Sequence, residues 1–290
     1  MNIALTGSSG LIGSKILLDL QNMGHEVLCI SSSRSSPGDN IFLYEEIRSK
    51  TCNFNADFII HMASINSNLT ESEVHLEVDL LRKVISGMEP LKCKNIIFFS
   101  TIKVYGENSF DFSVIDESAP KNPECFYGIA KAKCERLLIE LSHEMKFNYL
   151  IFRMPPVLIN DPKSNVGKLF QLVEKGIPIP SFAIGDINQR SFLSYELLVF
   201  IIKEILKRGI IASSEAFNLS DHEPISTNGL LKRFGKSINK KPRIIYLPNL
   251  LFKAMIKINR LQLILIKLFG NFQLSNAKLK KEFKLLDTYK

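Results

Sequence analysis

The chain begins MNIALTGSSGLIGSK (Met1–Lys15), and the reading of this stretch decides the fold. An apolar run, Asn2 to Leu5, leads into three glycines spaced three residues apart, Gly7, Gly10 and Gly13. An apolar stripe of helical period follows from Leu11 to Met23. Strand, glycine turn and helix in immediate succession form a loop able to cradle phosphate. The first glycine permits the tight turn, the second lets the backbone approach a pyrophosphate, and the third lets the helix pack closely on the sheet. The N-terminus of the helix presents unpaired N–H groups and a partial positive charge to the same phosphates.

Outward from this loop the same alternation repeats. HEVLCIS (His25–Ser31), DFIIHMAS (Asp57–Ser64), KNIIFFST (Lys94–Thr101) and FNYLIFRM (Phe147–Met154) read as strands. Glu73 to Met88 and Tyr127 to Met145 read as helices. Near-continuous apolar strands separated by helices predict a parallel sheet covered on both faces. With right-handed crossovers this is a doubly wound α/β fold. After Pro155 the pattern loosens into shorter elements broken by Pro and Gly, which predicts a dinucleotide-binding domain over 1–154 and a smaller α/β lobe over 155–290, the two interleaved across a soft boundary.

At 290 residues, 46% hydrophobic and 23% charged, the chain can bury a substantial core and is too apolar for disorder. Its net charge of +8 is concentrated after Leu230, where Lys and Arg recur and Glu282 and Asp287 are the only acids. Such a region attracts anionic substrates or surfaces, or simply forms a solvated basic face. No aromatic-interleaved basic patch points to nucleic acid. Residues 247–272 are apolar, but Lys253, Lys257, Arg260 and Lys267 interrupt them, so no run spans a bilayer. A helical pair covering the core is preferred there over peripheral membrane contact. Five cysteines form no CxxC pair and have no ligand-spaced histidine. With no signal peptide, the expectation is a reducing cytoplasm and no metal.

Tyr127 and Lys131 stand four apart on one expected helix and so share a face. A free tyrosine ionises near pH 10, roughly three units too high to exchange protons at neutrality. A neighbouring ammonium stabilises the phenolate and lowers that value.

TGxxGxxG, HMAS (His61–Ser64), FFSTIKVYG (Phe98–Gly106), the Tyr127/Lys131 segment, FRMPPV (Phe152–Val157) and QRSFLSYELL (Gln189–Leu198) occur in one order. Together they resemble the extended short-chain dehydrogenase/reductase superfamily, which implies a Rossmann-type fold. The resemblance implies Tyr127 as acid/base, Lys131 as its modulator and ribose ligand, and Thr101 as a donor to the reacting oxygen. It places the cofactor against Gly7, Ser9, Gly10, Leu11, Ile12, Gly13, Ser31, Ser33, Arg34, Ala63, Ser64, Pro155 and Val157. Asn165 and Arg190 would reach the substrate, Arg190 through its diphosphate. Tyr105 takes a core-packing position.

Three departures stand out. Ala130 replaces the usual serine, Asp79 stands where relatives carry an asparagine, and Ser31 replaces the acid that selects NAD. That last change, with Arg34 nearby, favours NADP(H), with NAD(H) the alternative. Ile102 and Lys103 replace the Asp–Glu pair of 4,6-dehydratases, which argues against dehydration. The second lobe resembles bacterial polysaccharide enzymes that reduce UDP-N-acetyl-6-deoxyhexosamines at C4. A 4-keto reductase for surface polysaccharide is therefore expected, with a UDP-hexose 4-epimerase as the alternative. A catalytically silent regulator or RNA-binding protein is the reading from another class. The resemblance also implies a homodimer through helices 73–88 and 127–145.

Overall fold

The structure is a computed structural model and describes residues 1–32, 41–49, 52–66, 68–211, 214–221 and 223–284. In chain order the strands of its central sheet are β1 (Asn2–Thr6), β2 (Glu26–Ser31), β3 (Ile41–Leu43) and β4 (Phe58–His61). β5 (Asn95–Thr101), β6 (Asn148–Met154) and β7 (Glu215–Asn218) complete it. They lie side by side in the order β7-β6-β5-β4-β1-β2-β3. β1 pairs in parallel with both β2 and β4, and parallel pairing continues from β2 to β3 and from β4 through β5 to β6. The five expected strands are present. The two additional ones, β3 and β7, lie at the sheet edges, where short strands carry little periodic signal.

The order reverses at β1: the chain moves to β2 and β3 on one side, then returns to β4 on the other. In a doubly wound sheet this switch opens a crevice at the carboxyl ends of the two central strands. The glycine turn leaves β1 at that point.

Three helices matter for the site: α1 (Gly13–Asn22), α2 (Val74–Ser86) and α3 (Phe126–Met145). Side chains alternate across each strand, and here both sets are buried. Ile3 and Leu5 on one side of β1 and Ala4 on the other are wholly inaccessible. Ala4, Ile59, Ile96 and Phe98 form one core cluster with Leu81, Val84 and Ile85 of α2 and Leu137 and Leu138 of α3. This two-sided burial is what the near-continuous apolar runs encode.

The chain divides into two compact units, one of residues 1–106, 120–154 and 199–217, the other of 107–119, 155–198 and 218–290. The chain changes unit at Met154–Pro155, but 107–119 and 199–217 also cross over. The chain thus crosses between the units at several points besides Met154–Pro155. The second unit contains paired short strands, Val157–Leu158 with Leu193–Ser194 and Ile179–Ser181 with Ile244–Tyr246. Its helices include Asn165–Glu174, Thr227–Ser237, Asn249–Met255 and Asn259–Phe269. The last two pack one face onto Phe182, with Phe252, Leu265 and Phe269 in that cluster. Their other face is exposed.

Candidate active site

The turn after β1 is built around its glycines. Gly7 has φ +80, and a Cβ there would stand 2.6 Å from the Ala63 nitrogen at the end of β4. A Cβ on Gly13 would meet the Gly7 carbonyl at 2.0 Å. The protein's own backbone therefore demands both glycines. Gly10 differs: it is exposed, and a Cβ there meets only the Gly7 oxygen, at 3.2 Å. Its bare backbone faces solvent just ahead of α1, whose cap residue Ile12 supplies no side-chain hydrogen bond. An uncapped helix start behind an exposed glycine suits a diphosphate, so these residues fit a dinucleotide.

Ser9, Leu11 and Ile12 lie in this turn, and Ser31 ends β2. Ser33 and Arg34 lie outside the described residues.

The loop is tied to β4 by a short relay. The Ala63 N–H donates to Thr6 Oγ1 at 3.2 Å, and Thr6 Oγ1 meets His61 Nδ1 at 2.6 Å. His61 is buried and stacks on Phe98. Burial, and then the nearby Lys131 charge, push its pKa down to about 3. His61 is therefore neutral and can accept the Thr6 proton at Nδ1.

Thr101 is the last residue of β5 and is buried. Its hydroxyl oxygen accepts a hydrogen bond from the Lys103 N–H at 3.3 Å, capping the single turn Ile102–Tyr105. α3 begins against that turn. A Cβ on Gly128 would stand 2.5 Å from the Lys103 carbonyl, so only glycine allows the approach. The contact sets Tyr127, one residue earlier, beside the Thr101 turn. Arg153 fastens the same region from β6, donating to Glu135 of α3 at 2.8 Å and to the Tyr105 hydroxyl at 2.6 Å. Ser100 Oγ also donates to Glu135, at 2.6 Å.

Lys131 is buried, with Nζ 4.9 Å from the centre of the Phe98 ring and 5.9 Å from that of Tyr127. Its closest charged partner is Glu77, with Nζ 2.8 Å from Oε1 and both side chains almost inaccessible. The other carboxylate oxygen accepts from Ser64 Oγ at 3.0 Å and from the Ile65 N–H at 2.8 Å. Ser64 also acts on Tyr127, lowering its pKa. Tyr127, Ser64, Glu77 and Lys131 therefore form one polar cluster.

This corrects the sequence reading in two ways. The acid that reaches the pair is Glu77, since Asp79 is exposed on the outer face of α2. Lys131 also does not dominate the tyrosine. Burial raises the Tyr127 pKa most, and the Glu77 carboxylate adds to it, outweighing Lys131 and the Ser64 hydrogen bond. Burial pulls on Lys131 in the opposite sense, but Tyr127 and Glu77 outweigh it, so its pKa rises and the ammonium persists. The sequence held a signal for Glu77: it interrupts the apolar stripe Val74–Leu81–Val84 at helical spacing, where an acid needs a partner.

Four expected residues belong to the second unit. Pro155 is buried and Val157 pairs with Leu193. Asn165 is exposed at the start of its helix. Arg190 Nη1 donates to the Lys267 carbonyl at 2.8 Å, and its guanidinium lies 5.5 Å from the Phe192 ring. Burial lowers its pKa to about 10.

Residues 3–176 match the profile of the NAD dependent epimerase/dehydratase family. The chain belongs to that family. The extended short-chain dehydrogenase/reductase placement and the Rossmann-type doubly wound fold stand with it. Among curated members, the chain is 26% identical to a UDP-glucose 4-epimerase of Vibrio cholerae, across 97% of this chain and 89% of that protein. It is 25% identical to an N-acetyl-alpha-D-glucosaminyl-diphospho-ditrans,octacis-undecaprenol 4-epimerase of Escherichia coli O157:H7, across 85% and 75%. It is 30% identical to a dTDP-6-deoxy-L-talose 4-dehydrogenase (NAD(+)) of Aggregatibacter actinomycetemcomitans, across 45% and 52%. Among solved members, a Bacillus cereus UDP-glucuronic acid 4-epimerase in complex with NAD superposes with a TM-score of 0.73. That match has 18% identity and covers 100% of this chain and 94% of that one. Of these curated relatives, the two that cover most of the chain are 4-epimerases.

Proposed function

We propose that the chain is a 4-epimerase of diphosphate-linked sugars, working with tightly held NAD(H). The observation that carries this reading is the cluster of Tyr127, Ser64, Glu77 and Lys131, close to the Thr101 turn and downstream of a glycine loop that fits a dinucleotide. Together these supply a proton carrier, a donor and a cofactor cradle, which is what reversible oxidation at one carbinol centre requires.

NAD, when bound, supplies the acceptor and then the donor of the C4 hydride. Gly7, Gly10, Gly13 and the start of α1 would hold its diphosphate, and Lys131 its nicotinamide ribose. Tyr127 takes the proton of the sugar C4 hydroxyl at Oη as the hydride leaves, and returns it after the sugar presents its other face. Thr101 Oγ1 donates to the same oxygen. Burial and Glu77 raise the Tyr127 pKa, so Tyr127 must lose its own proton before it can take that of the C4 hydroxyl, and the phenol formed in that step is well able to hold the proton until it is returned.

Three finer assignments belong to this proposal. The nucleotide is uridine diphosphate, by likeness to the relatives. Asn165 and Arg190 contact the substrate diphosphate. The protein pairs through α2 and α3, where Leu76, Phe126 and Met145 are exposed. The cofactor taken in this proposal is NAD(H) rather than NADP(H), by likeness to a solved member held with NAD. A second reading, reduction of a 4-keto-6-deoxy sugar, is favoured by the likeness to the talose 4-dehydrogenase over 45% of the chain and rests on the same residues.

The test is product analysis by NMR after incubation with UDP-N-acetylglucosamine or UDP-glucose. The C4 epimer should accumulate to equilibrium with wild-type protein and not with Tyr127→Phe. Consumption of NADH by a 4-keto sugar, without epimerisation, would move the assignment to the reductase.

A further inference from the structure

The segment from Ile244 to Phe269 carries an exposed surface that the site does not use. Ile245 and Tyr246 are each 52% exposed, Leu250 78%, Ile258 54%, Leu263 60% and Ile264 52%. They do not scatter singly. On helix Asn259–Phe269 the exposed residues after Asn259 are Arg260, Leu263, Ile264 and Lys267, spaced i, i+3, i+4 and i+7, so they form one face. An apolar centre sits there between two cations. The preceding helix, Asn249–Met255, likewise sets exposed Leu250 and Leu251 beside exposed Lys253, and exposed Lys257 follows in the turn after it. Both helices bury their opposite faces on Phe182, at 5.2 Å from the Phe252 ring and 5.7 Å from that of Phe269. One anchor therefore presents two amphipathic faces outward, and a contiguous exposed apolar surface marks an interaction site.

Charge decides what covers it. From Pro224 to Lys281 the sequence has no Asp or Glu, while Lys and Arg recur throughout. A second copy brought to this face about a two-fold axis would set these cations against themselves. An anionic bilayer complements them: the Lys and Arg heads reach the phosphates while Leu250, Leu263 and Ile264 enter the acyl boundary. Among the described residues no helix is long and apolar enough to cross a membrane, so the contact lies on the surface.

We propose that Asn249–Met255 and Asn259–Phe269 dock this protein on an anionic phospholipid bilayer. The inference stands on exposure and charge and is independent of the reaction assigned above.

The test is co-sedimentation of the full-length protein with vesicles of phosphatidylglycerol and phosphatidylethanolamine, compared with pure phosphatidylcholine. Binding should favour the anionic vesicles and weaken with salt. Lys253→Gln with Lys257→Gln should lower the partition coefficient about tenfold or more, by the energy of two interfacial cations. Leu250→Glu with Leu263→Glu alters exposed positions only and should abolish binding, while circular dichroism remains that of the wild type. Absence of binding to anionic vesicles at low salt would overturn the proposal, as would binding indifferent to both double variants. Self-association in ultracentrifugation that is lost in the leucine variant, without vesicle binding, would give the face to a second copy and equally overturn it.

Discussion

Lys131 and Glu77 form a buried ion pair, Nζ to Oε1 2.8 Å, one turn of helix from Tyr127. Taking both charges out of water is costly, so the pair is tolerated because each oxygen of Glu77 has a donor. Removing one partner should expose that cost. Glu77→Ala should destabilise the protein by about 3–5 kcal/mol, the usual penalty for an orphaned buried charge. Chemical denaturation read by circular dichroism measures it.

Glu77→Gln keeps the hydrogen-bonding shape and removes the charge. The carboxylate favours the protonated phenol, so its loss lowers the Tyr127 pKa. The limb of the pH–rate profile on which Tyr127 must lose its proton should move to lower pH. An unchanged profile with intact fold would show that Glu77 does not act on the tyrosine.

Tyr127→Phe should reduce turnover by about 10²–10⁴-fold, the contribution of a positioned acid/base, while NAD binding by fluorescence is retained. Retained turnover would place the proton transfer elsewhere.

The glycines separate folding from cofactor binding. Gly7→Ala places a side chain at φ +80 and against the Ala63 backbone, and should cost at least about 1–2 kcal/mol of stability from the backbone alone. Gly10→Val, at an exposed position, should leave thermal stability nearly unchanged yet weaken NAD binding about tenfold or more. Calorimetric titration beside a thermal melt distinguishes the two.

His61 gives a stability dependence on pH. Its folded pKa of about 3 lies below the unfolded value of 6.5, so the unfolded chain binds the extra proton. Its contribution is present above pH 6.5 and is lost as pH falls towards 3, at about 1.4 kcal/mol per unit. Denaturation midpoints in acid should fall less steeply in His61→Gln.

The sheet was legible because its strands are buried on both sides, and uninterrupted apolar runs such as Ile96–Phe99 admit little else. Spacing alone set Tyr127 and Lys131 on one helix face. Glu77 was missed because its role comes from the packing of α2 beside α3, which a local pattern does not carry. Asp79, two residues on, turned outward for the same reason: on a helix a shift of two moves a side chain to the opposite face. Which segments interleave, 107–119 and 199–217, is a property of contacts distant in sequence that a local pattern does not carry.

The central claim is reversible hydride transfer at C4 within one bound complex. Its most direct test uses UDP-glucose or UDP-N-acetylglucosamine deuterated at C4, with the product examined by NMR and mass spectrometry. The account predicts the C4 epimer with deuterium retained at C4 and no net change in nicotinamide absorbance. Loss of the label to added cofactor, or an epimer that has exchanged it with solvent, would contradict it.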